Sequence, residues 1–195
     1  RSTTERDVSL TPTASYIPIP SEPPPEPSPE PIEVSIDEEL RALQRVTTRD
    51  EAVHVACEAC LGVARGAAFL ALRKGVFRGW DGAGEEVTSA SIRSLWVPAS
   101  NPSILNEVLH SGKPFRGAYG KTAADHLFRA AFGSKGRDVA IVPVLIGARM
   151  VGVLCANDPV ADGTIIEQVA GALGDAFQRL IVTRKSKAPP SPGPS

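Results

Sequence analysis

The sequence predicts an α/β domain of the α+β kind: a central antiparallel sheet of about five to six strands, with the terminal helices on one face and short helices and loops on the other. Three observations predict it. The stretch "DVAIVPVLIGARMVGVLCANDP", Asp138 to Pro159, holds two apolar runs joined by about three residues, a connection too short for anything but an antiparallel pair. Both runs are apolar on both faces, where a strand with one wet face would alternate, so the pair belongs in the middle of the sheet. Segments of helical period flank the strand-rich region at either end.

Residues 1–34 read as a linker. "PIPSEPPPEPSPEP" packs proline and glutamate with little to bury, which favours an extended spacer; Tyr16, Ile17 and Ile19 are its only apolar cluster. The folded part, 35–184, starts with Ser35 and Glu38 at capping-box spacing and a helix to about Thr47. Thr48 and Glu51 repeat that spacing before a helix over about 49–63, whose Val53, Ala56, Cys57, Cys60 and Val63 form one stripe, with Gly66 as its stop. Phe69–Arg73 and Val76–Trp80 flank "KG" as a tight hairpin. A polar loop and a strand near Ile92–Val97 come next. "SNPSILNEVLHSG" reads as a short helix capped by Ser100 or Asn101, with Pro102 in its first turn and Gly112 as its stop. "PFRGAYG" is a strand or turn, and "TAADHLFRAAFG" a helix between Thr122 and Gly133. Within the central hairpin, Pro143 lacks a ladder donor and predicts a bulge or a gap in pairing. The last helix runs from about Thr164 to Arg184, with Thr164 and Glu167 at capping-box spacing and Ile165, Val169, Leu173, Phe177 and Leu180 as its apolar stripe. "KSKAPPSPGPS", from Lys185, reads as a second tail.

With 195 residues and 42% hydrophobic content, the chain can build one medium core. Residues 1–34 hold two basic and six acidic side chains, a balance of −4, and the remainder 19 and 16, a balance of +3. Neither value, nor the spacing of Arg129, Lys135 and Arg137, marks a nucleic-acid surface. No run of 18 apolar residues calls for a membrane span. Three cysteines, an odd number, argue for free thiols and a reducing, cytoplasmic compartment. The start at Arg1 and the proline-rich ends suggest a module inside a longer protein.

The element order, carried by "DEAVHVACEACLGVARGAAFLALRKGVFRGW", "VPASNPSILNEVLHSGKPFRG", "VAIVPVLIGARMVGVLCANDP" and "TIIEQVAGALGDAFQRLI", resembles a GAF domain over about Leu40 to Val182. The resemblance implies a fold related to PAS and profilin-like domains. It implies a regulatory module that binds a small molecule or partner protein and relays the change through its terminal helices. A homodimer through Leu40, Leu43, Val169, Leu173, Phe177 and Leu180 follows from it. The Asn-Lys-Phe-Asp-Glu pattern of cyclic-nucleotide-binding members is absent, and no cysteine has the histidine neighbour of bilin-attaching members. The resemblance requires no cofactor and implies no particular ligand, so nitrogenous ligands, haem and redox input all stay open.

Chemistry-bearing residues point to binding more than catalysis. "CEAC", Cys57–Cys60, has redox spacing but sits inside a helix with no second pair, so both thiols read as core; His54 with Cys57 and Glu58 is a weak metal pattern. Cys155, inside an apolar strand, is the one thiol a GAF-type free methionine sulfoxide reductase could use. Trp80, Trp96, Phe115, Tyr119 and Phe128 gather on strand ends and short helices, and with Arg93, Asn101, His126 and Cys155 they outline an aromatic pocket over one sheet face. The competing reading has these side chains fill that space, leaving an interaction scaffold without a ligand. His110 suits the negative end of its helix.

Overall fold

Apolar runs and caps translate directly into elements in the computed structural model, which describes residues 36–160 and 163–187. The 1–34 linker and most of the 185–195 tail lie outside that range. The elements are α1 (Asp37–Arg45), α2 (Arg49–Cys60), β1 (Gly66–Arg73), β2 (Val76–Gly84), α3 (Ser89–Arg93), β3 (Trp96–Pro98), α4 (Ile104–Ser111), β4 (Phe115–Ala118), α5 (Ala123–Ala131), β5 (Asp138–Ile146), β6 (Arg149–Asn157) and α6 (Thr164–Lys187). The six strands form one sheet in the order β3-β2-β1-β6-β5-β4, antiparallel throughout. The β5–β6 ribbon is interior, as its two-faced apolarity requires: β6 pairs with β1, and β5 with β4.

Period-two alternation splits the buried residues into two cores. Ala140, Val142 and Val144 of β5, Leu154 and Ala156 of β6, and Ala67, Phe69 and Ala71 of β1 face α1, α2 and α6. Val139, Ile141, Val153, Cys155, Ala68 and Leu70 face α3, α4 and α5. The first layer is tied end to end: Arg179 of α6 donates from Nη2 to the carbonyls of Leu43 and Val46, each at 3.1 Å.

Several local expectations change. Ser35 lies outside the described residues, and Ile36, at the N-cap of α1, offers no side-chain cap. Thr48 does cap α2, accepting from the Glu51 amide at 3.2 Å, while the Glu51 carboxylate returns to the Thr47 amide at 2.8 Å, one residue earlier than the box motif. The bond from the Thr47 amide holds the Glu51 carboxyl below its ordinary range. α2 ends at Cys60, and Gly66 opens β1 instead of stopping the helix. The loop after β2 contains α3, where Thr88 and Ser91 make a complete capping box, so Ile92 is helical and the strand begins only at Trp96. Ser103, not Ser100 or Asn101, caps α4. Thr164 is the first helical residue of α6, and Glu167 N–H bonds to the Gly163 carbonyl. α6 runs on to Lys187. The register shift in β5 falls between Val144 and Leu145, one residue past Pro143; β4 ends opposite Ile141, so no strand pairs with β5 beside the proline on that side. At the β1–β2 turn both Lys74 (φ 51°) and Gly75 (φ 74°) are left-handed, the twist a two-residue hairpin demands.

Candidate functional site

The expected pocket over the α4/α5 face is built from the capping chemistry of two short helices. Asp125 sits at the third position of α5 and is buried. Its Oδ2 accepts from the Thr122 amide (3.1 Å) and hydroxyl (2.8 Å), and its Oδ1 accepts from the Ile104 amide at the start of α4 (3.0 Å). One carboxylate thus caps two helices. Replacing it by alanine strands buried donors at both starts, and Asp125→Ala is expected to cost about 2–3 kcal/mol in denaturant titration, with Asp125→Asn losing less. A loss below about 0.5 kcal/mol would show that water replaces the carboxylate at no cost.

Four of the nine pocket candidates meet on this face, and they fill it. Phe128 is fully buried, with ring centroids 5.7 Å from Tyr119 and 5.2 Å from Phe132. Phe115 packs half-buried against the same cluster, and Cys155 is fully enclosed in it. The Tyr119 hydroxyl donates to Asn157 Oδ1 at 3.0 Å, and burial pushes its phenol well above the ordinary range, so it stays a donor. Asn157 and Asp158 are the polar pair at the end of β6: Asp158 Oδ1 accepts from the Arg137 and Asp138 amides and closes the sheet end. The nearby opening beside Phe132 and Asn157 holds only about 10 Å³, room for about one water and not for an organic ligand.

The other five candidates lie elsewhere. Trp80 packs on the opposite face, 6.1 Å from Phe69 and 6.5 Å from Phe177 between centroids. Alternation from Phe77 already puts it there, and the register skips Trp80, pairing Leu70 with Gly79 and Phe69 with Asp81. At such a bulge consecutive side chains can share a face. Trp80 Nε1 donates to Asp50 of α2 at 2.6 Å, and Asp81 meets His54, one turn further along α2, at 3.5 Å. Arg93 is exposed at the end of α3, where Nε donates to the Trp80 carbonyl and Nη2 lies 3.8 Å from Asp81. Trp96 is 57% exposed on the edge strand, because the inward position of β3 goes to Val97. Asn101 and His126 are exposed.

The residues expected at a dimer seam are mostly spent inside the chain. Leu43, Val169, Leu173, Phe177 and Leu180 are buried in the α1/α2/α6 layer, and Leu40 is half-buried against it. A helix stripe cannot cover its own sheet and a second copy at once.

The cysteines carry no activated thiol. All three are free and buried. Burial pushes the Cys60 thiol up to about 12 and the Cys57 and Cys155 thiols well above their ordinary value. Cys57 Sγ donates weakly to the Asp81 carbonyl at 3.8 Å. Among the described residues no group of three His, Cys, Asp or Glu side chains is placed to hold a metal, and no helix is long and apolar enough to cross a membrane.

Open space among the described residues lies at the other end of the sheet. A cavity of about 220 Å³ separates the start of α2 and the later part of α6 from β1, β2 and β6. A groove of about 540 Å³ runs from it toward Trp96. Phe69, Trp80, Phe177 and Ile181 supply the apolar wall, and Arg49, Arg73 and Arg149 stand around it. Sequence reasoning missed these arginines. The one available signal was that "RKG" and "GAR" are both turns: antiparallel pairing of Ala71 with Gly152 carries Arg73 toward Met150 and Arg149.

No family model matches the sequence, and no curated protein matches it. Solved structures do. The GAF domain of an Acinetobacter phosphoenolpyruvate-protein phosphotransferase is similar with a TM-score of 0.58 at 8% identity, over 77% of this chain and 94% of that one. The GAF-B domain of DevS from Mycobacterium smegmatis gives 0.56 at 14%, over 72% and 100%. The GAF domain/HD domain protein of Geobacter sulfurreducens gives 0.56 at 15%, over 72% and 98%. The chain therefore has a GAF-like fold, which at these identities fixes architecture and not ligand.

Proposed function

We propose that this chain is a non-catalytic regulatory module of a longer protein, which passes a binding event on through the packing of α1, α2 and α6. One observation carries it: Arg179 joins the first and last helices directly, bonding two carbonyls at the end of α1. Segments attached at either end then attach to one coupled layer. The similar structures include the GAF domain of a phosphotransferase and the GAF-B domain of DevS, which supports a modular role. A relay needs two packings of this layer with different affinity for the input. Amide exchange on Arg179→Ala tests the coupling. Protection in both α1 and α6 is expected to fall by about ten-fold or more while the sheet is unchanged. Loss confined to α1, with α6 as slow as before, overturns the relay.

The module pairs with a second copy through what the terminal helices leave outside, where Val182 is 57% exposed and Leu40 half-buried. Light scattering is expected to give twice the mass of one chain; a monomer at all concentrations ends this part of the reading. Three free thiols support a reducing compartment, the cytoplasm, as the module's setting.

A second reading, an interaction scaffold without a ligand, is favoured by the filled α4/α5 face. Native mass spectrometry of the protein from its own cell separates the two by a retained small molecule. A sulfoxide reductase would need Cys155 as a thiolate in reach of substrate. In thiol labelling at mildly alkaline pH, no cysteine of the native protein is expected to react on the timescale at which denaturant exposes all three. One rapid equivalent, mapped to Cys155, would revive the enzyme.

A further inference from the structure

We propose that the cavity between α2, α6 and the β1–β2–β6 end of the sheet is a binding site for a small aromatic carboxylate. The proposal deepens the regulatory reading by naming its input, and it stands or falls separately from the relay. Shape and chemistry both point there. A cavity of roughly 150 Å³ accommodates one benzene ring, so about 220 Å³ admits a body of one to two rings. Its wall is aromatic: Phe177 meets Phe69 edge-on at 5.6 Å and lies within 29° of the Trp80 plane. These faces suit a flat apolar body.

The charge at the rim selects the other end of the ligand. Arg49, Arg73 and Arg149 border the cavity, and Lys74 and Arg78 line the adjoining groove. Among the described residues none of these five pairs with a carboxylate, whereas Arg65, Arg93 and Lys135 pair with Glu85, Asp81 and Glu86. The acids beside Arg49 are engaged: Asp50 accepts the Trp80 indole N–H, and Glu51 the Thr47 amide. Arg73 lies over the Trp80 ring, 5.1 Å from its centroid. Stacking uses the flat face of a guanidinium and leaves the N–H fork at its edge free to grip a carboxylate through two bonds. The site opens on the face that carries α2 and α6, so an occupant touches Phe177 and Ile181 of α6 and Arg49 of α2 together. It is separate from the α4/α5 face, which is packed shut.

The chain contains two tryptophans, so Trp96→Phe leaves Trp80 as the single indole reporter. The experiment titrates full-length Trp96→Phe protein with naphthalene-2-carboxylate and, separately, with the neutral naphthalene-2-carboxamide, reading Trp80 emission. A saturable change is expected with the acid, and binding at least about ten-fold weaker with the amide. Arg73→Gln and Arg149→Gln, both at exposed positions, are each expected to weaken the acid by about ten-fold while leaving the amide within about two-fold. Equal binding of acid and amide reduces the site to an apolar hole and overturns the proposal. So does the absence of saturation, or arginine variants that bind as the parent does. Displacement of the acid by a short single-stranded oligonucleotide that itself binds more tightly would assign the basic groove to nucleic acid instead. Binding with no change in α1 or α6 exchange leaves the site standing and removes the relay; coupled exchange without binding does the reverse.

Discussion

Gly79→Ala is expected to lose about 4 kcal/mol or more, a large part of the roughly 5–15 kcal/mol that holds an ordinary domain together. A Cβ at this position would lie 1.7 Å from the Ile92 carbonyl oxygen and 2.5 Å from its carbon. Both are backbone atoms, so no rotamer change relieves the overlap. The contact is also shared: the Gly79 amide donates to the Leu95 carbonyl at 3.0 Å, just after α3. Separating the two segments would break that bond and lift Ile92, which is fully buried, out of the second core. Denaturant titration measures the loss. The matched control is Gly171→Ala, at an exposed position inside α6 where an added Cβ meets nothing within 4 Å. There helix propensity predicts a gain of about 0.5–1 kcal/mol. A Gly79 variant within about 1 kcal/mol of the parent would mean that β2 and α3 separate at little cost.

That same approach explains which parts of the fold were legible in the sequence. Signals that are local and repeated came through: the two-faced apolarity of Val139–Ile146 and Met150–Ala156, the "KG" turn, Thr122 before α5 and Gly112 after α4. α3 did not, because its five residues are too few for a period, and its two caps, Thr88 and Ser91, look like any polar loop. Ser100, Asn101 and Ser103 are equally good caps by type. What selects Ser103 is the depth at which Ile104 and Leu105 enter the core, a tertiary fact.

The candidate site was less legible for a related reason. Aromatic content identified the residues but not their faces. Trp80 lies on the face opposite Tyr119 and Phe128 through strand parity, which no local motif announces. The basic rim is invisible to any window of sequence, since Arg49, Arg73 and Arg149 come from a helix start and two separate hairpins. Their average effect on composition is a small positive balance. Only antiparallel pairing of β1 with β6 concentrates them.

Phe128→Ala tests whether the α4/α5 face is packed or merely covered. The side chain is fully buried and touches the rings of Tyr119 and Phe132, so truncation removes both its transfer free energy and its ring contacts. About 3–5 kcal/mol is the expected loss, with the upper end reached if α5 cannot settle toward the sheet. Settling is opposed by Asp125, whose bonds to Thr122 and Ile104 hold the start of α5 against α4. A dry void should therefore persist, and a small apolar molecule that enters it will return part of the loss by mass action. Benzene at fixed concentration is expected to raise the denaturation midpoint of Phe128→Ala by more than it raises that of the parent, whose open cavity near Trp80 gives a baseline gain in both. Equal gains would mean that α5 settles into the void despite Asp125 and leaves no room for a ring. The loss on truncation would then fall toward the lower end of its range, as a collapsed site requires.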